Sequence, residues 1–464
     1  MISRRTWISR AALLASGAAF MDRARLVLGG GAALAQDPPA GHDMANMPGM
    51  TAPPPVAKLP PPVAAPASAP RGDLPYTPVI TPNGSTLPFH MNGAVKEFRL
   101  VAEPVEVEFA PGMKVNAWGY NGSSPGPTIE AVEGDRVRIF VENRLPEHTT
   151  IHWHGILLPA GMDGVGGLNQ PDIGPGETYV YEFTLRQHGT HMYHPHADEM
   201  VQMAMGMMGF FIIHPRKPER HIDRDFCVFP HMFFVQPGTK TPNTAIMLDF
   251  NLFTFNGKVF PGTEALVCRL GDRTRIRLAN LSMTSHPIHL HGHQTWVTET
   301  DGGQIPRSAW WPETTINIIP GTTRAFEFVA NNPGDWALHC HKTHHTMNAM
   351  GHGIPNMMGV DQHGVSEEIS RLVDGYMAMG SSGMAEHSEH SEHMPGLPNT
   401  LPMMTGKGPF GPIEMGGMFT VLKIREHLKG YADPGWYDYP AGTVSWKEGS
   451  ITEPGKDGEH AHGG

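Results

Sequence analysis

Two stretches decide the fold: Gly134 to Asn143, GDRVRIFVEN, and Gly271 to Asn280, GDRTRIRLAN. Six of their ten positions are identical, at an offset of 137 residues. Nine residues beyond each Asn stands a His pair, His152/His154 and then His289/His291. A second match follows at an offset of 145: Pro175-Gly176, Tyr181-Glu182-Phe183 and His194-Pro195-His196 answer to Pro320-Gly321, Phe326-Glu327-Phe328 and His339-Cys340-His341. Ordered matches of this kind mark an internal duplication. Each unit alternates apolar and polar residues, as in Val137-Arg138-Ile139-Phe140-Val141, and is punctuated by Pro-Gly and Asn-Gly. That is the pattern of short strands in a β-sandwich. The sequence therefore predicts two homologous sandwiches, residues 95–215 and 220–360, with a late strand from Gly416 to Ile424 returning to the second.

The chain has 464 residues, and its net charge of −11 argues against a nucleic-acid partner, which would call for a basic surface. It holds 28 His and 29 Met but only 3 Cys, so it is no disulfide scaffold. Imidazoles and thioethers with few thiols suit copper better than zinc fingers or iron–sulfur clusters. Cys227 and Cys268 fall in predicted strands and are expected as buried free thiols.

The first 35 residues, with Arg4-Arg5 and the small residues Ala33-Leu34-Ala35, read as a twin-arginine-type signal. The expected location is periplasmic or extracellular. Asp22, Arg23 and Arg25 interrupt the apolar region of this leader. Residues 36–94 are Pro/Ala-rich and read as a linker. Residues 361–464 read as a C-terminal extension with a Met/His-rich segment around His387, His390 and His393. Such a segment reads either as solvated disordered chain or as loose copper capture.

All four His pairs are spaced by two. Residues i and i+2 share one face of a strand, so each pair can aim two imidazoles at one point. In His339-Cys340-His341 the same alternation turns Cys340 to the opposite face, and one strand then serves two metal sites. His286, Cys340, His345 and Met350 make the His2Cys set with an axial Met that defines a blue-copper site. In the first repeat, Pro195 stands where Cys340 would and Thr149 where His286 would, so one blue site per chain is expected.

HWHG at His152, HPIHLHGH from His286 and HCHKTHHTMNAM from His339 resemble the copper signatures of multicopper oxidases. The two-domain, small-laccase-like variety is the nearest in kind. The resemblance implies two cupredoxin-like Greek-key β-sandwich domains and four coppers per functional unit: one type 1, one type 2 and two type 3. It implies type 2 copper on His152 and His289. It implies the type 3 pair on His154, His194, His196, His291, His339 and His341. It implies type 1 copper on His286, Cys340, His345 and Met350. Asp163 stands where the family places a proton-carrying acid, while Thr346 stands where a second acid often lies. His191 precedes Met192 where an aromatic is usual, and it has no assigned role. The implied reaction is oxidation of a small reducing substrate or metal ion, phenol or Cu(I), coupled to reduction of dioxygen to water. The implied assembly is a homotrimer. A copper nitrite reductase and a non-catalytic copper-sequestering protein are the competing readings. Met200, Met203, Met205, Met207 and Met208 read either as core filler or as a thioether path for Cu(I).

Overall fold

The computed structural model describes residues 76–110, 112–236, 238–347, 371–372, 406–440 and 442–443. The expected export signal, Met350 and the Met/His-rich segment lie outside the described residues.

The repeated stretch GDRVRIFVEN becomes a strand because Val137, Ile139 and Val141 alternate with Arg136, Arg138, Phe140 and Glu142 and are fully buried. It is the fifth of nine strands described in the first sandwich: β1 (Phe89–Asn92), β2 (Val95–Ala110), β3 (Met113–Tyr120), β4 (Ile129–Val132), β5 (Arg136–Asn143), β6 (His152–His154), β7 (Thr178–Thr184), β8 (Gly189–His194) and β9 (Gly209–His214). One sheet runs β1-β2-β5-β7, with β3 on β2, and the other runs β4-β9-β8-β6. Trp153, Tyr181, Phe183, Tyr193 and Phe211 fill the space between them.

The second sandwich repeats this plan. It holds β10 (Arg224–Val228), β11 (Pro230–Phe233), β12 (Leu252–Phe255), β13 (Leu266–Arg269), β14 (Arg273–Asn280), β15 (His286–Leu290), β16 (Thr295–Thr300), β17 (Gly303–Gln304), β18 (Trp311–Glu313), β19 (Thr315–Ile318), β20 (Thr322–Val329), β21 (Gly334–Cys340), β22 (Gly406–Gly408), β23 (Gly411–Ile413) and β24 (Phe419–Arg425). Its sheets run β10-β14-β20-β16-β17 and β13-β24-β21-β15-β19. The parallel pair β2/β5 recurs as β10/β14, and β4/β9 recurs as β13/β24. Even the register recurs: His152 faces His194 across β6/β8, and His289 faces His339 across β15/β21.

Two expected boundaries are corrected. The second sandwich does not close at residue 360, because β24 lies between β13 and β21 in the middle of its sheet. A sheet cannot lose a central strand and keep its ladder, so residues 419–425, the late strand expected to return here, belong to the domain and the extension does not begin at residue 361. Nor does a linker reach residue 94. From Tyr76 the chain packs between the sandwiches: Ile80 bridges Phe226, Thr86 bridges Thr128, and Val79 and Leu87 are buried. An extended Pro-containing chain is already strand-like, and these apolar side chains give it something to bury.

Cys227 and Cys268 are free and buried, each within a hydrophobic core. A buried ionic network joins the sandwiches. Arg277 forms a bidentate pair with Asp225 at 2.8 and 2.9 Å and reaches Glu299 at 3.0 Å. It also donates to Thr190 of β8 at 2.8 Å. Arg275 and Arg220 bind Glu327 beside it. Three cations therefore meet three carboxylates.

Burial opposes the charge on Glu299, but Arg277 and Arg275 hold its carboxyl down at about 2. A carboxylate depressed in the fold stabilises above its unfolded value, and the gain is lost as pH falls through the folded one. Glu299→Gln should cost about 3 kcal/mol at pH 7, because it leaves buried guanidinium charge uncompensated. The cost should shrink steadily as pH falls from 4.5 toward 2. Urea denaturation of both proteins across that range checks it.

Candidate metal centre

In the first sandwich, β6 and β8 bring four imidazoles to one edge. His152 lies 5.5, 5.4 and 5.6 Å from His154, His194 and His196, ring centre to ring centre. Trp153 points the other way and is fully buried. His194 donates Nδ1–H to the Pro195 carbonyl at 2.9 Å, which leaves Nε2 bare and 3.2 Å from His154 Nδ1. That gap suits two ligands of one metal at bonds of about 2 Å. His152 donates Nδ1–H to the Asp163 carbonyl at 2.7 Å, so its Nε2 also faces the others. The turn needs glycine next: Gly164 has φ +90°, and a Cβ there would stand 1.8 Å from the Ile151 carbonyl. The Asp163 carboxylate lies 3.5 Å from His152 Nδ1, and its other oxygen accepts from Asn169 at 3.2 Å.

The second sandwich builds the same figure. His289 lies 4.7, 5.7 and 5.6 Å from His291, His339 and His341. His339 donates Nδ1–H to the Cys340 carbonyl at 2.9 Å, and its Nε2 stands 3.1 Å from that of His291. His289 donates Nδ1–H to the Thr314 carbonyl at 2.6 Å. Backbone carbonyls thus fix matching tautomers in both quartets. Among the described residues, the imidazole contacts of each quartet stay within that quartet.

A third cluster lies inside the second core. Cys340 Sγ is 3.4 Å from His345 Nδ1 and 3.8 Å from His286 Nδ1. All three residues are buried, and Phe253 stacks on His345 at 4.4 Å. In the first sandwich the equivalent place is closed: Thr149 and Gln202 are buried and hydrogen-bonded to each other at 2.7 Å.

Desolvation pulls His194 and His286 down to about 3, and it also lowers His154, His291 and His339. These rings are neutral at ordinary pH and need shed no proton to bind metal. Burial pushes the Cys340 thiol up to about 12, so metal entry there must release a proton. A buried His2Cys trio beside imidazole quartets is the donor set of copper rather than of calcium, magnesium or an iron–sulfur cluster.

Two family models described as multicopper oxidase match residues 102–218 and 234–357, one per sandwich and together just over half of the chain. The chain belongs to the multicopper oxidase family. A blue copper oxidase from Nitrosomonas europaea has a similar structure, with a TM-score of 0.53 and 25% identity over 71% of this chain and 85% of that one. A probable nitrite reductase–hydroxylamine oxidoreductase fusion protein of Kuenenia stuttgartiensis is 30% identical over 274 residues, 56% of this chain. Copper resistance protein A of Escherichia coli is 48% identical over 108 residues, 23% of this chain. This multicopper oxidase spans only 31% and 18% of the length of those two relatives.

Sequence reasoning missed several supporting groups of this multicopper oxidase. Glu199 lies 3.7 Å from His194 and 4.0 Å from His196, and only its place three residues after His196 hinted at it. The Asp163 and Thr314 carbonyls are invisible in sequence because any residue supplies one. His191 joins neither quartet: it is buried against Gly155, and desolvation lowers it to about 4. Of the five clustered methionines, Met205, Met207 and Met208 are buried in the core and Met203 packs against it, while Met200 is exposed. Core filler therefore accounts for most of them.

Cys340→Ser should yield protein with one copper fewer per chain and no intense blue absorption, the remaining coppers staying bound. Metal analysis and visible spectroscopy of the purified protein check this.

Proposed function

We propose that this chain is an oxygen-reducing oxidase: it takes electrons singly from a small donor and delivers four to dioxygen, forming water. One observation carries the reading. Cys340 belongs to the buried trio, and its two chain neighbours, His339 and His341, belong to the second quartet. An electron taken up at the trio reaches the quartet along covalent bonds.

On this reading His286, Cys340 and His345 would hold type 1 copper, together with Met350. His152 and His289 hold type 2 copper, and His154, His194, His196, His291, His339 and His341 hold the type 3 pair. Copper bound there supplies one-electron redox chemistry and the centre where dioxygen is reduced. The chain's own residues orient the ligands and move protons. Asp163 acts with its two ends apart: its carbonyl orients His152, and its carboxylate, 3.5 Å from that ring, passes protons inward. Asp163→Asn keeps the carbonyl. Copper content should therefore be unchanged while oxygen uptake falls about a hundredfold.

A trinuclear centre needs both quartets, and within one chain they make no ring contact. A second copy completes it: the first quartet of one chain meets the second quartet of another, and a head-to-tail contact of this kind closes as a ring, here a homotrimer. Exposed apolar side chains on both rims support this. Leu157 and Leu168 are 62% and 79% exposed near the first quartet, and Trp311 is 37% exposed beside the Thr314 support of His289. Light scattering should find a copper-loaded trimer; an active, copper-loaded monomer would overturn this assembly.

Cu(I) is the donor favoured here. The Met/His-rich segment and the similarity to copper resistance protein A support it, and the buried methionines do not. The twin-arginine leader supports export to the periplasm or beyond, where copper is met. The nitrite reductase named among the relatives offers a second reading, but such an enzyme has no use for eight paired histidines. Oxygen consumption with Cu(I), Fe(II) and 2,6-dimethoxyphenol as separate donors decides: Cu(I) should be fastest. A phenol oxidised far better removes the metal-handling reading, and no oxygen uptake with any donor removes the oxidase reading.

A further inference from the structure

The duplication supplies an internal control for the type 1 site. In both sandwiches an Asn ends a core strand and folds the next turn around its amide. Asn143 Nδ2 donates to the Glu147 and Ile173 carbonyls, and its Oδ1 accepts from Leu145 N. Asn280 Nδ2 donates to the Thr284 and Ile318 carbonyls, and its Oδ1 accepts from Ser282 N. The two corners are superposable bond for bond, so residue differences between them isolate what the metal trio requires. Cys340 replaces Pro195, His286 replaces Thr149, and Ser282 replaces Leu145. The first two differences are ligands. The third is not, yet it touches one.

The Ser282 hydroxyl is buried, 2.7 Å from His286 Nε2. It also lies 2.7 Å from Asn280 Oδ1 and 3.1 Å from the Thr284 carbonyl. A hydroxyl has one proton and two lone pairs. Both of those oxygens are acceptors, the Asn280 amide being fixed by its own two donations, so the Ser282 proton is committed to them. Toward His286 the hydroxyl can only accept. The imidazole must then carry its proton on Nε2, and its bare Nδ1 faces Cys340 Sγ.

We propose that Ser282 is a positioning residue for His286: it locks the Nε2–H tautomer and so presents Nδ1 to the type 1 copper. This rests on the type 1 reading given above. Leu145 could not serve, having no oxygen, and the first sandwich has no ligand there to serve. The arrangement is a ligand imidazole oriented by a hydrogen bond through its other nitrogen, here to a hydroxyl that is itself anchored by the Asn corner.

The test compares full-length wild type, Ser282→Ala and Ser282→Thr. Nitrogen NMR of the metal-free wild type should show His286 as the Nε2–H tautomer. Ser282→Ala should show a mixture of tautomers, bind type 1 copper about tenfold to a hundredfold more weakly in a chelator competition, and shift the cupric paramagnetic resonance signal. Ser282→Thr keeps the hydroxyl and should restore all three. An Nδ1–H tautomer in the wild type overturns the proposal, as does an alanine variant with unchanged tautomer, affinity and spectrum. Should the alanine variant fail to fold, the wild-type tautomer and the threonine variant still decide. Wild type that takes up copper without any blue absorption would instead remove the type 1 reading itself.

Discussion

A β-strand turns successive side chains to opposite faces, and the rest of the site depends on that alternation at His339-Cys340-His341. Cys340 faces inward, is fully buried, and lies opposite Ile288 across β15/β21. His339 and His341 face outward and join His289 and His291. A buried soft site and an open imidazole site thus share a single strand, with only bonded atoms between them. A helix could not do this with adjacent residues, since its neighbours in sequence diverge by about 100° rather than alternating cleanly.

The second consequence is that backbone carbonyls set the orientation of two imidazoles in each quartet. The Pro195 and Cys340 carbonyls serve His194 and His339, and the Asp163 and Thr314 carbonyls serve His152 and His289. Such supports tolerate much sequence change, because every residue carries a carbonyl. They demand only the local turn, as the Asp163-Gly164 corner illustrates. His286 differs from these four: its support is a side-chain hydroxyl and is therefore confined to the sandwich that needs it.

Much of this was legible in the sequence. The GDR repeat, its alternation and the HxH spacing carried both sandwiches and the ligand groupings, because periodicity and spacing are properties of the chain itself. What escaped depended on contacts distant in sequence. The late strand was expected to return to the second sandwich, but its place in the middle of a sheet was not, because a long insertion precedes it, whereas the first sandwich makes the same connection with fourteen residues between His194 and Gly209. The strap from Tyr76 looked like linker because Pro78 and Pro82 mask the burial of Val79. The methionines after His196 could be read two ways because polarisable filler and metal ligand are the same side chain. Only packing separates them, and it buries Met205, Met207 and Met208.

In the assembly proposed above, each quartet is half a centre, and a second copy brings the other half. Two variants test this most directly, His152→Ala/His154→Ala, which ruins the first quartet, and His289→Ala/His291→Ala, which ruins the second. Each alone should be inactive. Dissociated, mixed and reassembled with copper, they should recover oxygen reduction, because some interfaces then join an intact first quartet to an intact second quartet from another chain. A mixture that stays as inactive as its parts, although mixed oligomers form, would contradict the account.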